Sequence, residues 1–286
     1  MNEINIPIVT GPGSQPSEAD GADLDILQLP SGMDTYQAPV LPEPEEVAGL
    51  DAGKRCLANL LNQLNAYAHA TDTAKPIELD GLDAANRELI DQVLGEGEVS
   101  IRFEGQVLAR IQESVLAGVW RVRYIDEQDQ VLRDTIEIGP VPLLLREQTF
   151  VDANKAVDGE VTELPEGVLN APALLTEIND KLSVFDAYSE PHVINLTLLP
   201  QTEQDLDFLT ERLGKGVVTV LSRGYGNCRI SSTSTHYVWW VQYFNSQDRN
   251  ILNTLEVTDV PRVASAAAED IQDSASRLAE ILEIYQ

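Results

Sequence analysis

The chain has 286 residues, of which 43% are hydrophobic, and its formal net charge at pH 7 is −28. This length is sufficient for one large domain or two small ones, each with a real core. A protein with this negative charge repels nucleic-acid phosphates and anionic lipid. We therefore expect neither a nucleic-acid partner nor a membrane partner. The charge fits a basic protein partner, or it serves solubility alone.

The lack of a recognisable targeting signal and the cysteine usage predict a cytoplasmic protein. No apolar run approaches the ~20 residues that a membrane span requires. The N-terminus, from Met1 to Pro7, has no basic region followed by an apolar core, so we expect no secretory signal. The two cysteines, Cys56 and Cys228, do not indicate a disulfide framework, and a reducing compartment fits them.

Residues 1–48 are rich in proline, glycine and acidic side chains. Such a segment buries too little apolar area to offset the entropy lost on ordering. Short apolar pieces interrupt it, for example between Leu24 and Leu29. We interpret this region as an extended acidic arm that precedes the folded part of the chain.

Residues 49–147 are predicted to form a first α+β unit. Leucines at helical spacing predict a helix that begins after Asp51 and runs to about Tyr67. A short strand is expected around Ile77, and a second helix begins at the N-cap Asp83 and ends at Gly95. Strand-like runs follow at residues 99–103, 106–115, 119–125 and 131–138.

A linker and a second unit complete the chain. Residues 148–170 are acidic and rich in turn-forming residues, which indicates a linker. Over residues 171–286 the same order returns: a helix, a strand, a helix capped by Thr202 and ended by Gly214, then strands. A closing helix is predicted from Ala264 to about Ile284, and we expect it to pack across this second unit.

The two units match at a constant offset of 119 residues without a gap. The matched positions include several glycine, tryptophan and proline residues, namely Gly95 with Gly214, Gly97 with Gly216, Trp120 with Trp239, and Pro142 with Pro261. We interpret this pattern as an internal duplication. The predicted fold class is therefore α+β, with two similar two-layer units, antiparallel sheets, helices on one face and a C-terminal helix.

Positions at which the two units differ are candidates for function. Trp120 and Trp239 fall on the side of their strands that alternation assigns to the core. On the opposite side, which we expect to meet solvent, Arg121 is replaced by Trp240. We predict that Trp240 is an exposed aromatic anchor for a partner. The alternative is that Trp240 packs on the linker, the first unit or the closing helix.

A glycine-rich segment of the second unit also departs from its counterpart. Where the first unit has residues 103–110, the second has Ser222 to Arg229, which adds arginine, tyrosine, glycine, asparagine and cysteine. Glycines that permit a close backbone approach, together with arginine forks, suit a peptide or a carboxylate. The alternative is a β-bulge or hairpin turn without a ligand.

We find no pattern of catalytic or metal-binding residues. Cys228, flanked by Arg223 and Arg229, could be a nucleophile or a ligand, but the chain lacks the cysteine and histidine spacings of zinc or iron–sulfur sites. Ala109 holds the equivalent place, which favours a packing role. His236 lies eight residues from Cys228, but no third group completes a triad. We therefore expect no catalytic residue, no metal and no cofactor.

Several motifs resemble one known family. They are Pro191-His192-Val193-Ile194-Asn195, the run from Leu221 to Ile230, the run from Val238 to Asn245, and arm segments within residues 31–45. In these motifs the chain resembles the HupH family of uptake-hydrogenase expression proteins, also called HyaF or HoxQ. The likeness runs from about residue 30 to the end and is densest in the second unit.

The resemblance implies a non-enzymatic chaperone or scaffold for the maturation of a nickel–iron hydrogenase. It implies a cytoplasmic protein that binds the iron–sulfur small-subunit precursor before export, together with a thioredoxin-like companion protein. The alternative is a protein that handles a thiol or an iron–sulfur cluster through Cys228. The family signature region, and hence the predicted binding site, comprises Arg223, Gly224, Tyr225, Gly226, Asn227, Cys228, Arg229 and Trp240.

Overall fold

The computed structural model describes residues 41–69, 75–158, 163–186, 190–224 and 226–285. Most of the predicted arm lies outside these ranges. The helices are α1 (Asp51–His69), α2 (Ala84–Leu94), α3 (Leu143–Gln148), α4 (Ala171–Ser183), α5 (Glu203–Leu213) and α6 (Ala268–Ile284), and a 3-10 turn spans Arg262–Ala264. The strands are β1 (Ile77–Glu78), β2 (Val99–Glu104), β3 (Leu108–Glu113), β4 (Val119–Ile125), β5 (Val131–Ile138), β6 (His192–Asn195), β7 (Val218–Ser222), β8 (Asn227–Ser232), β9 (Val238–Phe244) and β10 (Asn250–Val257).

The ten strands found in the described ranges form one antiparallel sheet in the order β1-β5-β4-β3-β2-β7-β8-β9-β10-β6. Strands from residues 49–147, the first half, occupy one side, and strands from residues 171–286, the second half, occupy the other. They meet at β2 and β7, where Ile101 lies opposite Val220. Instead of two sheets, the halves therefore share one.

The succession of elements occurs twice along the chain. Strands β8, β9 and β10 begin and end 119 residues after β3, β4 and β5, and α5 does so after α2. The predicted mixture of helices and antiparallel strands and the C-terminal helix are confirmed. The origin of the two halves by duplication, and the boundaries 1–48, 49–147, 148–170 and 171–286, stay predictions.

The predicted helix ends have the expected hydrogen bonds. The Asp83 side chain accepts from the Asn86 backbone N–H at the start of α2, and Thr202 forms a capping box at the start of α5. Both helices end at a glycine with positive φ; at Gly214, φ is 66°. A Cβ atom there would lie 1.9 Å from Ser234 Oγ, so this position requires glycine.

One face of the sheet, here called the helical face, carries the long helices. In the first half, α1, α2 and α6 pack over β4 and β5, with Leu60, Ile90 and Ile136 fully buried. In the second half, α4 and α5 pack over β9 and β10, with Leu209 and Leu255 fully buried. The apolar periodicity of these helices fits this packing, because each presents one stripe to the sheet.

The opposite face contains a second apolar layer. Trp120 and Trp239 are both 0% exposed there, which confirms the core face predicted from alternation. Each indole N–H is satisfied by a backbone carbonyl, that of Gly139 for Trp120 and that of Asp259 for Trp239. Short α3 and the 3-10 turn cover this layer, so the helical segments are not confined to one face.

The expected position of the closing helix was wrong. Helix α6 packs against α1 in the first half, where Ile271, Ala275 and Leu278 join the cluster of α1 and α2. The physical reason is that α4 and α5 already cover the apolar side chains of β10. Gly118 permits this packing, because a Cβ atom there would lie 2.4 Å from Ile271 Cγ1.

Candidate functional site

The signature segment forms the turn between β7 and β8. The Arg223 backbone N–H donates to the Glu98 carbonyl at 3.0 Å, and the Arg223 side chain is exposed. A Cβ atom on Gly224 would lie 2.0 Å from a Glu98 carboxylate oxygen, and Gly226 has a φ of 99°. The positive φ of Gly226 therefore favours glycine, whereas a side chain at position 224 would require only the flexible Glu98 carboxylate to move. Tyr225 lies outside the described residues.

Strand β8 sends its signature residues to two faces. Asn227 and Arg229 lie on the helical face and are half-buried, whereas Cys228 lies on the opposite face. The Arg229 guanidinium lies 5.6 Å from the centre of the Phe244 ring, a cation–π arrangement. Burial lowers the pKa of Arg229 from its ordinary value.

Cys228 belongs to the apolar layer. Its residue is 1% exposed, and burial raises the pKa of the thiol to about 12, although a hydrogen bond with Tyr243 acts in the other direction. His236 lies beyond the far end of β8 and stacks edge-on against Phe150, so the fold does not bring it to the thiol. A reactive thiolate is therefore disfavoured at neutral pH, and packing explains this cysteine.

Trp240 lies on the helical face beside an open groove. The residue is half-buried, its indole N–H donates to Asn253 Oδ1, and its ring packs against the cluster under α4 and α5. The groove has a volume of about 160 Å³ and runs between α5 and the sheet, where Leu206 and Thr219 also line it. Trp240 thus combines core packing on one side with an open groove on the other.

The equivalent position in the first half is not solvent-facing, so this expectation was wrong. Arg121 is 6% exposed and lies beneath α2. Its guanidinium donates to Asp134 Oδ2 and to Asp91 Oδ1, each at 2.6 Å. These two carboxylates explain how the cation is buried. The bonds Arg121–Asp134 and Trp240–Asn253 join equivalent positions, so the halves differ by an exchange of an ion pair for a neutral hydrogen bond.

A row of arginines that was not recognised from the sequence crosses the middle of the helical face. Arg102, Arg110 and Arg123 lie directly opposite one another on β2, β3 and β4. The row continues through Thr219 and Ser231 and ends beside Trp240. Arginines that alternate with apolar residues in these strands were the available signal, but only the strand order reveals that they are neighbours.

A larger cavity of about 620 Å³ lies on the opposite face and is lined mostly by residues of the first half. Phe103, Tyr124, Glu137 and Val217 are among its lining residues. Burial raises the pKa of Glu137, whose carboxylate accepts a hydrogen bond from the Leu143 backbone N–H at 2.8 Å. The strand pattern placed Tyr124 on this face, but it gave no indication of a cavity.

Two further properties bear on the class of site. Within the described ranges, no group of three or more His, Cys, Asp or Glu residues is arranged to hold a metal ion. None of the helices described here is both long and apolar enough to cross a bilayer.

Comparison with known proteins identifies the family. The model for the C-terminal conserved region of the HupH hydrogenase expression protein matches residues 51–161 and 168–285. The chain belongs to the HupH hydrogenase expression protein family. The two matched stretches cover both halves of the sheet, including the β7–β8 turn and Trp240.

Curated relatives match over nearly the whole of this chain. The hydrogenase expression/formation protein HoxQ of Cupriavidus necator is 50% identical over 99% of this chain and 98% of its own length. HupH of Rhodobacter capsulatus is 46% identical over 97% and 96%, and the hydrogenase-1 operon protein HyaF of Escherichia coli is 31% identical over 95% and 93%. The structure of HupH from Thiobacillus denitrificans is similar over 40% of this chain and 93% of its own, with 32% identity and a TM-score of 0.36.

Proposed function

We propose that this protein is a non-enzymatic accessory protein in the maturation of a nickel–iron hydrogenase. In this proposal it acts in the cytoplasm as a chaperone or scaffold and holds the iron–sulfur small-subunit precursor before export. A thioredoxin-like companion protein acts with it. The observation that carries the proposal is that HoxQ, a hydrogenase expression/formation protein, is 50% identical over almost the entire length of both chains.

The β7–β8 turn and the adjacent helical face are the proposed client surface. Arg223 is exposed at the turn, Arg229 is half-buried on β8, and Trp240 borders a groove with one side of its ring packed. Arginine and tryptophan are the side chains most often responsible for binding energy at protein interfaces. A partly packed tryptophan also loses little side-chain entropy on binding, which favours affinity.

The net charge of the whole chain, rather than the arginines of the client surface, supports a basic client. The chain carries a net charge of −28, whereas a precursor with a twin-arginine signal is basic at its N-terminus. Attraction between exposed charges accelerates association and weakens as salt is added. Binding of the precursor should therefore weaken between low and high ionic strength, and salt-independent binding would count against this part of the proposal.

The alternative, thiol or cluster chemistry through Cys228, has less support. Cys228 is buried in the apolar layer, and burial raises the pKa of its thiol to about 12. Nucleophilic and metal-binding cysteines instead occupy electropositive, partly exposed positions. In the proposed function, Cys228 therefore packs the face behind the client surface.

The deciding experiment is a pull-down of the small-subunit precursor with the wild type and single variants. Trp240→Ala and Arg223→Ala should each reduce capture by roughly tenfold or more, since truncation of an interface anchor costs about 2 kcal/mol. Trp240→Phe keeps an aromatic ring and should retain most of the binding. Cys228→Ser should capture the precursor like the wild type.

Arg55→Ala is the matched control, because Arg55 is exposed on α1, away from the β7–β8 turn. It removes the same charge as Arg223→Ala, so equal losses from both variants would indicate a general charge effect. Unchanged capture by Trp240→Ala and Arg223→Ala would refute the proposed client surface. Wild-type protein that fails to capture the precursor at any salt concentration would refute the proposed function.

A further inference from the structure

The arginine row lies on a part of the sheet where most side chains are polar, with the buried Leu221 of β7 beside them on the same face. Among the described residues, the apolar clusters beneath the helices include none of the side chains that β2, β3, β7 and β8 present on the helical face. Arg102, Arg110 and Arg123 keep 38%, 57% and 43% of their side-chain surface exposed. Helices α2 and α5 flank this area, which makes it a shallow trough across the centre of the sheet.

Arginines that face each other across neighbouring strands repel one another. Here three do so in succession, and each is balanced by a carboxylate at the edge of the trough. Arg102 lies 3.0 Å from Glu104, and Arg110 lies 2.6 Å from Asp129. Exposed pairs of this kind contribute little stability, so another carboxylate can replace either partner.

Arg123 and Arg229 are the other two arginines of the trough. Arg123 lies 3.6 Å from Asp91, a carboxylate already bound at 2.6 Å by the buried Arg121. The Arg229 guanidinium lies over the Phe244 ring. Four guanidinium groups therefore line a trough in a protein whose overall charge is −28.

We propose that residues 1–40, the part of the N-terminal arm that precedes the described chain and is called the arm from here on, bind across this arginine row and cover Trp240. The arm contains no lysine or arginine. Its carboxylates are those of Glu3, Glu18, Asp20, Asp23, Asp25 and Asp34. Arginine forks bind carboxylates with two parallel hydrogen bonds, and the apolar residues between Asp23 and Leu29 suit the Trp240 end of the row.

The start of the described chain is on the same side of the sheet. Leu41 packs against the cluster under α1, α2 and α6, and the Tyr285 hydroxyl donates to the Pro42 carbonyl at 3.1 Å. Helix α2 separates this cluster from the trough, because its Asp91 reaches Arg123. A stretch of 40 residues can extend about 130 Å, which is several times the width of the sheet.

Tethering favours the arm over a separate acidic partner. A free acidic protein is repelled by the net charge of −28, which weakens any approach to the trough. An attached segment has an effective concentration on the order of 1 mM, so it binds even when its intrinsic affinity is weak. The trough and the arm thus form a complementary pair within one chain.

Zero-length cross-linking of the full chain tests this pairing. In an Arg110→Lys variant, a carbodiimide should join the new amine to a carboxylate of the arm. Trypsin leaves residues 1–54 as one peptide because Lys54 is the first basic residue, so the product has a distinctive mass. We expect the cross-link within one chain at low salt and its loss near 1 M salt, where screening is strong.

An Arg249→Lys variant is the matched control, because Arg249 is exposed on the turn between β9 and β10, away from the row. Cross-links from both positions to residues 1–54 in equal yield would overturn the proposal. So would the absence of arm cross-links at residue 110, or cross-links that join an isotope-labelled chain to an unlabelled one. The last outcome would assign the trough to a second molecule.

Tryptophan fluorescence supplies an independent measurement. The chain has three tryptophans, and Trp120 and Trp239 are 0% exposed, so acrylamide quenching reports on Trp240. Combined replacement of Asp20, Asp23 and Asp25 by asparagine should about double the quenching constant, since an arm with a dissociation constant near 1 mM covers the ring about half the time. Equal quenching of the variant and the wild type would contradict coverage of Trp240.

Arm occupancy also has a consequence for client binding, which rests on the proposed function. If the precursor uses Trp240, it must displace the arm, so the triple asparagine variant should bind the precursor about twofold more tightly. Loss of precursor binding in every variant would refute the proposed function, whereas the cross-link would still establish the arm.

Discussion

Transfer of the Trp240–Asn253 pair to positions 121 and 134 tests whether the two halves use these positions in the same way. Replacement of Arg121 by tryptophan places the side chain of position 240 at its equivalent in the first half. The carboxylate of Asp134, which is 3% exposed, then loses its partner. Removal of one partner from a buried ion pair costs about 3–5 kcal/mol. We therefore expect Arg121→Trp to reduce the free energy of unfolding by that amount.

A second substitution should reverse most of this loss. Asp134→Asn removes the uncompensated charge. It also supplies an amide oxygen that can accept a hydrogen bond from the new indole N–H, as Asn253 does for Trp240 in the second half. The free energy of unfolding of the double variant should be within about 1–2 kcal/mol of that of the wild type, and we attribute the remaining difference to imperfect packing. Asp91, whose side chain is 39% exposed, remains solvated and adds little to this difference.

Urea unfolding followed by circular dichroism at 222 nm measures both changes. The single variant should shift the midpoint without a change in slope, and the double variant should shift it back. Asp134→Asn alone is the control, and we expect it to destabilise, because Arg121 keeps only the partly exposed Asp91. A loss below ~1 kcal/mol for Arg121→Trp, or no recovery in the double variant, would refute the assignment of these positions as structural equivalents.

Three further predictions concern groups whose environment the structure defines. Burial raises the pKa of Glu113 from 4.5 to about 7. Between these pH values the folded protein binds more protons than the unfolded chain, so its stability falls as the pH rises from about 4.5 to 7. In Glu113→Gln, the decrease in the free energy of unfolding over this pH range should be about 3 kcal/mol smaller, as measured by urea unfolding at several pH values. An unchanged pH profile would contradict this prediction. Cys228 should react with a thiol reagent at pH 8 at least ~100-fold more slowly than an unfolded control, and a Cys228→Ser variant should label like the wild type. Gly118→Ala should cost about 2–4 kcal/mol in thermal or urea unfolding, because φ is 73° and the new methyl group meets Ile271; a neutral effect would refute this close contact.

Sequence periodicity was sufficient for the long helices, for the strands and for the core of the opposite face, but not for the short helix α3. Trp120 and Trp239 were assigned to the core because alternation places them beside valines, and side chains of a strand alternate regardless of its neighbours. The caps at Asp83 and Thr202 were predictable because a helix start depends on a few adjacent residues. These inferences are local, which is why they agree with the structure.

Features that depend on neighbouring strands or helices were not predictable. Arg121 resembles a solvent-facing residue until α2 supplies Asp91 and β5 supplies Asp134 as its partners. The position of α6 depends on which apolar surface the other helices leave uncovered, and this is a property of the assembled fold. Cys228 and Arg229 are adjacent on β8 and therefore lie on opposite faces, but which face is covered depends on the elements that pack against the sheet.

The pairing of β2 with β7 bears on how the protein can be divided. Either half, expressed by itself, would end in a strand whose amide and carbonyl groups had lost their partners along five registered positions. Unpaired strand edges recruit other strands, so such a fragment would associate with itself or aggregate. Recombination of two separately produced halves, by contrast, would start from matched edges, which makes the centre of the sheet a natural point for a split-protein reporter.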